Sequence, residues 1–118
     1  MSILDEDKID IISINNEVAN LYICDHLEWT GNEDEDNKHA LLLQSKIETY
    51  INAYETGYLF KIQPETKGKK VVFIIISKYC LNTKGIWFVS QARKWLQASK
   101  FSEIRLTFEW SDYREYNL

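Results

Sequence analysis

The stretch KVVFIIISK at residues 70–78 decides the fold of this 118-residue chain. Its apolar core, from Val71 to Ile76, has no polar alternation, which is typical of a strand inside a sheet with both faces covered. The rest of the chain must therefore supply strands that flank this one and helices that cover it. A chain of this length suits one domain, which we assign to residues 1–110, followed by a polar C-terminal tail at residues 111–118.

A β-hairpin is predicted ahead of this stretch. Residues 9–14 are rich in β-branched side chains, and residues 17–25 alternate apolar side chains with others. Asn15 and Asn16 lie between the two segments, and asparagine tolerates the positive φ angle that a two-residue hairpin turn requires.

A long amphipathic helix is predicted between the hairpin and the central strand. Apolar residues recur at steps of three and four from Ala40 to Tyr54. Residues 29–37 form an acidic loop before this helix, in which Asp34 or Asp36 is a candidate N-cap. Gly57 is typical of a helix end, because glycine readily adopts the left-handed conformation found there.

A short strand and a turn are predicted after this helix. The strand is assigned to residues 58–62, and the turn to residues 64–68, which Pro64 and Gly68 bracket.

A second helix and a final strand complete the pattern. Asn82 or Thr83 is a candidate N-cap of this helix, apolar residues from Ile86 to Leu96 keep helical spacing, and residues 103–110 alternate strictly. The order β-β-α-β-β-α-β predicts an α+β two-layer sandwich, with a five-stranded mixed sheet and both helices on one face. The last crossover is expected to be right-handed and to join parallel strands.

Charge is unevenly distributed along the chain, whose net charge is −4. Residues 1–40 hold eleven acidic residues against two lysines, whereas residues 41–118 hold seven acidic residues against twelve basic ones. Such segregation can create a negative face that attracts a positive partner. The alternative is that the acidic residues only aid solubility, or that later lysines neutralise them in the folded chain.

Six polar residues at and before the start of the first helix are candidates for chemistry. Histidines with carboxylates can bind zinc or iron, and a histidine with an aspartate can act in acid–base catalysis. Because no second anchoring motif accompanies them, a cap or turn at the strand end is favoured for the first two. The six are Asp25, His26, Glu28, Asp34, Asp36 and His39.

Several other functional classes find little support. Cys24 and Cys80 lack both a metal-type spacing and the surroundings of a catalytic nucleophile, so we expect idle thiols in a reducing cytoplasm. The scattered glycines cannot form a phosphate-binding loop. An isoelectric point near 5.2 disfavours nucleic-acid binding in spite of the cluster Lys67, Lys69 and Lys70. No apolar run approaches the ~20 residues of a membrane span, and no cofactor is predicted.

The tryptophans raise the question of an aromatic binding surface. Trp87 and Trp95 lie eight positions apart in the second helix, roughly on one side. Aromatic anchors rimmed by charge are typical of protein interfaces. The alternative is that Trp95 and Trp110 fill the core while Trp29 fixes the acidic loop onto it.

The segment DHLEW at residues 25–29 adds a resemblance to a known family. This D-H-L-x-W motif, the segment IDII at residues 9–12, the leucine-rich helix that ends at Gly57 and the Pro64-to-Gly68 turn resemble a family of small bacterial domains of unknown function. The resemblance covers residues 8–108. It implies a single-domain bacterial protein of the cytoplasm and carries over no catalytic residue. The motif residues are Asp25, His26, Leu27 and Trp29.

A non-catalytic protein-binding module is the leading hypothesis. Its most concrete form is an immunity protein that neutralises a basic toxin, such as a nuclease, because such an inhibitor needs a rigid scaffold, an anionic face and aromatic anchors. The predicted partner-binding residues are Glu28, Trp29, Glu33, Asp34, Glu35 and Asp36. Two alternatives stay open: a metal-binding or hydrolytic enzyme that uses Asp25, His26 and His39, and a homodimer formed through the exposed face or edge of the sheet.

Overall fold

The computed structural model describes residues 3–4 and 8–110, and the predicted tail at residues 111–118 lies outside them. The described residues form an α+β fold with a mixed sheet. Its elements are β1 (Ile11–Ile14), β2 (Val18–Asp25), α1 (Glu33–Thr56), α2 (Tyr58–Ile62), a 3-10 turn (Pro64–Thr66), β3 (Lys70–Ser77), α3 (Thr83–Ala98) and β4 (Arg105–Trp110).

The central strand β3 lies inside a sheet with the order β1-β2-β3-β4. Both β2 and β4 pair with it in parallel, whereas β1 pairs with β2 in an antiparallel hairpin. Phe73 and Ile75 on one face of β3 are buried, and so are Ile74 and Ile76 on the other. The predicted hairpin, the interior position of β3 and the parallel last crossover are thus confirmed.

One hydrophobic cluster fills the space between the sheet and the two long helices. Leu21, Phe73 and Leu106 lie side by side on one sheet face, as the pairing register requires. The same cluster includes Leu43 of α1 and Val89 of α3. Both long helices therefore cover the same face of the sheet.

The prediction of a fifth strand at residues 58–62 is wrong, because this segment forms α2 and the described residues contain a four-stranded sheet. Gly57 ends α1 with a φ angle of 82°, and its carbonyl then accepts hydrogen bonds from the N–H groups of Phe60 and Lys61. The chain therefore starts a new helical turn, which buries Leu59. A five-residue apolar run is too short for its period to distinguish helix from strand.

A buried ion pair fixes the segment before β1 to α1. Lys46 donates from Nζ to Oδ1 of Asp10 at 2.6 Å and to the carbonyl of Lys8 at 2.5 Å, and both paired side chains are fully buried. The second carboxylate oxygen of Asp10 accepts the N–H of Cys24. Burial raises the pKa of Asp10, against the hydrogen bonds from Lys46 and Cys24 that lower it. The carboxylate therefore depends on its cation.

Lys46→Met is expected to lower the free energy of unfolding by about 3–5 kcal/mol, because it leaves a buried carboxylate without its cation. Urea denaturation followed by circular dichroism measures the change. The matched control is Lys38→Met, which removes an exposed lysine from the same helix and should change stability by no more than about 0.5 kcal/mol. A loss for Lys46→Met as small as that of the control would contradict the structural role of the ion pair.

Candidate functional site

The N-termini of α1 and α3 are joined through one buried carboxylate. Asn82, the N-cap of α3 as predicted, donates from Nδ2 to Oδ2 of Asp36 at 2.9 Å, while its Oδ1 accepts the N–H of Gly85. Asp36 also accepts the N–H groups of Thr30 at 3.0 Å and Gly31 at 3.1 Å. The acidic loop and both long helices therefore share one anchor. The prediction that this loop extends to residue 37 is wrong, because α1 begins at Glu33 and the loop is confined to residues 29–32.

The N-cap of α1 is Asn32, so the prediction of Asp34 or Asp36 is wrong. The Oδ1 atom of Asn32 accepts the N–H of Glu35 at 3.0 Å, and the helix begins at Glu33. Asp36 lies a full turn inside the helix and instead bonds back to the loop. Because the Asp36 carboxylate does not cap α1, it can accept the hydrogen bond from Asn82.

Asp25 at the end of β2 and His39 on α1 form a second buried contact. His39 Nε2 lies 2.6 Å from Asp25 Oδ2, and the two side chains are 3% and 1% exposed. The indole of Trp29 stacks on the imidazole with 3.9 Å between the ring centroids, and Oδ1 of Asp25 accepts the N–H of Leu27. We refer to Asp25, Trp29, Asp36, His39 and Asn82 as the helix junction.

The geometry of the helix junction favours a structural role over catalysis. A general base must come within hydrogen-bond reach of its substrate, but Asp25 and His39 are both buried, and Trp29 stacks on His39. His26, the third residue of the enzyme hypothesis, is half-buried, and no hydrogen bond or ion pair of the described residues joins it to Asp25 or His39. Among residues 3–4 and 8–110, no group of three or more His, Cys, Asp or Glu side chains could hold a metal ion. The structure thus brings Asp25 and His39 together without making them accessible.

The helix junction binds Asp36 in its ionised form. Burial alone would raise the pKa of Asp36, but the hydrogen bonds from Asn82, Thr30 and Gly31, together with the charge of His39, lower this pKa below its ordinary value. Sequence reasoning missed the partnership with Asn82, because the two residues are 46 positions apart and no local pattern connects them.

Asp36→Asn is expected to reduce the loss of stability in acid. Since the native pKa of Asp36 lies below the unfolded value of about 3.9, the ionised carboxylate stabilises the fold above that pH, and this contribution disappears as the pH falls through the native pKa. Urea denaturation between about pH 7 and pH 2.5 should show a steeper acid loss for the wild type than for the variant. Glu17→Gln, which removes an exposed carboxylate outside the helices, is the control and should follow the wild type. Parallel curves for wild type and Asp36→Asn would contradict this assignment.

The six predicted partner-binding residues divide into an exposed and a buried group. Trp29 and Asp36 are buried members of the helix junction and support the loop from beneath. The other four side chains are exposed, and none forms an ion pair with a lysine or arginine in the part of the chain that the structure describes. We refer to these four, Glu28, Glu33, Asp34 and Glu35, as the acidic patch.

A groove of about 640 Å³ runs between α1 and α3. Ala40 and Ala92 are among the residues that line it, and their small side chains leave space between the helices. Large apolar side chains stand at its walls: Leu41 is 61% exposed on α1, and Trp87 and Trp95 are 53% and 52% exposed on α3. The groove therefore presents aromatic and aliphatic surface to the solvent.

The tryptophans occupy two kinds of environment. Trp29 is buried in the helix junction and holds the acidic loop to the core. Trp95 and Trp110 are largely exposed, so the alternative in which they fill the core is wrong. The reason is that α3 turns Val89 and Leu96 toward the sheet instead, which leaves Trp95 on the groove side.

Cys24 does not have the environment of a catalytic nucleophile. Cys24 is buried, and burial raises the pKa of its thiol to about 11. Since the thiolate is the reactive form, Cys24 is a poor nucleophile at neutral pH. Cys80 is exposed.

The fold and the helix junction define a small α+β domain in which two crossover helices are tied together at one edge of a mixed sheet. The chain belongs to the family of unknown function DUF6572, whose model matches residues 1–112. Membership in a family of unknown function was predicted and is confirmed; the bacterial origin and the D-H-L-x-W motif stay predictions. Comparisons with curated proteins and with solved structures found no match. Within residues 3–4 and 8–110, every helix is too short or too polar to cross a membrane.

Proposed function

We propose that this chain is a non-catalytic protein-binding module, most concretely an immunity protein that neutralises a basic toxin, such as a nuclease, in the bacterial cytoplasm. The acidic patch is the observation that carries the proposal. Its four carboxylates are exposed and lie within eight residues of one another. A surface of this kind attracts a positively charged active site and accelerates encounter with it.

The surroundings of the acidic patch support the proposal, because they hold the patch in one shape before a partner arrives. Glu35 accepts a hydrogen bond from the hydroxyl of Thr30 at 2.8 Å. Asn32 caps the helix on which Glu33 stands, and Asp36 holds the loop backbone from below. A preorganised surface loses less conformational entropy when it binds.

The start of α1 explains how like charges can stay clustered. Glu33, Asp34 and Glu35 occupy the first helical turn, where the positive end of the helix dipole stabilises negative side chains by roughly 0.3–1 kcal/mol each. This attraction offsets part of their mutual repulsion. The cluster can therefore persist without a neutralising lysine beside it.

The proposal is tested with the protein encoded by the reading frame adjacent to this gene. Expression of that protein alone should stop the growth of a bacterial host, and co-expression of this chain should restore growth through a complex that can be purified. A neighbour that is harmless to the host, or one that stays toxic when this chain is present, would contradict the proposal.

The acidic patch should control how fast the complex forms. The triple variant Glu33→Gln/Asp34→Asn/Glu35→Gln is expected to lower the association rate constant at least about tenfold at low salt, and the difference should shrink at about 300 mM NaCl, because salt screens exposed charges. Stopped-flow fluorescence with the purified pair measures these rates.

A second triple variant distinguishes location from net charge. It neutralises three exposed carboxylates elsewhere on the chain and changes the net charge equally, so it should retain most of the wild-type rate. Equal rates for the two triple variants at low salt would rule out a special role of the acidic patch. The control variant is Glu17→Gln/Glu65→Gln/Glu109→Gln.

A further inference from the structure

We propose that the groove between α1 and α3 is a homodimer interface, in which a second copy of this chain packs α1 of each protomer on α3 of the other. This inference is independent of the proposed function. It begins with the exposure of Leu41, Trp87 and Trp95, whose side chains all stand at one groove. A contiguous apolar surface of this kind marks an interaction site in a soluble domain.

The contact between Asp36 and Asn82 fixes the axial alignment of α1 and α3, so that residues equally far beyond the contact lie at the same height. Both are crossovers between parallel strands, so they run in the same direction, and each rises about 1.5 Å per residue. Leu41 and Trp87 both lie five residues beyond the contact, and both line the groove. Glu48 and Lys94 both lie twelve residues beyond it and are therefore level as well.

The two walls of the groove carry opposite charge. Glu48 lines the α1 wall, and exposed Glu33 lies one turn before Asn37 of the same wall. Lys84 lines the α3 wall, where its ammonium stands 4.4 Å from the centre of the Trp87 ring. Lys94 is exposed and lies two helical turns after Trp87. A second copy can therefore place its basic wall against the acidic wall of the first, and its acidic wall against the basic one.

Symmetry selects one arrangement of the two copies. A twofold axis parallel to the helices sets the acidic α1 of one protomer on the basic α3 of the other, and it does so twice. An axis across the helices would instead set α1 on α1, with like charges opposed. In the first arrangement Glu48 of one protomer lies level with Lys94 of the second copy.

The size of the surface predicts a weak dimer. Two helices side by side are about 20 Å wide, and α3 with its 16 residues is about 24 Å long. The resulting area of roughly 500 Å² per protomer approaches the ~600 Å² per partner at the low end of specific interfaces. We therefore expect a dissociation constant in the micromolar range.

Sedimentation velocity of the purified chain over a range of concentrations, from a few micromolar to several hundred micromolar, tests the inference. The wild type should shift from monomer to dimer within this range. Trp95→Ala should raise the dissociation constant at least about tenfold, whereas Tyr58→Ala, which removes an exposed aromatic side chain outside the groove, should not change it. A chain that stays monomeric throughout, or a dimer that Trp95→Ala leaves intact, would overturn the proposal.

A charge exchange tests the pairing of the helices. Glu48→Lys and Lys94→Glu should each weaken the dimer, and the double variant should recover most of the wild-type affinity. Glu65→Lys, an equal change at an exposed site outside the groove, is the control for net charge. A double variant that dimerises no better than the two single variants would overturn the proposed arrangement.

Discussion

The buried carboxylate of Asp36 is the constraint on which the arrangement of the helices depends. It accepts hydrogen bonds from the acidic loop and from Asn82 at the start of α3, and it stands on α1 itself. Gly85 allows the close approach that this contact needs, because a Cβ atom there would lie 3.0 Å from the Trp29 indole. The spacing of α1 and α3, and with it the groove, is therefore fixed at the helix junction.

Charges in the interior and charges at the surface serve different purposes in this protein. Two pairs of buried ionisable side chains contact each other, since Lys46 pairs with Asp10 and His39 pairs with Asp25. Carboxylates at the start of α1 and tryptophans along α3 are exposed. Such side chains offer electrostatic attraction and apolar contact, which the proposed binding function requires.

Long periodic segments could be predicted from the sequence, whereas contacts between distant residues could not. The central strand and both long helices follow from apolar patterns that are long enough to distinguish helix from strand. The boundaries of the four observed strands fall within two residues of the predicted ones. Residues 58–62 were too short for such a pattern. The sequence placed Asp25 and His39 in one candidate set, but their contact depends on how α1 docks. The apolar pattern does not single out Lys46, although its spacing of three and four from Leu43 and Tyr50 places it on the buried face.

Native-state hydrogen exchange at the backbone amides of Thr30, Gly31 and Gly85 tests most directly whether the acidic patch stands on a rigid base. If the helix junction is rigid, these amides exchange only when the whole domain unfolds, with the same opening free energy as the amides of β3. If the opening free energies of these amides are lower than those of β3 by about 2 kcal/mol or more, and do not depend on denaturant concentration, the junction opens locally. That result would contradict the account of a preformed binding surface.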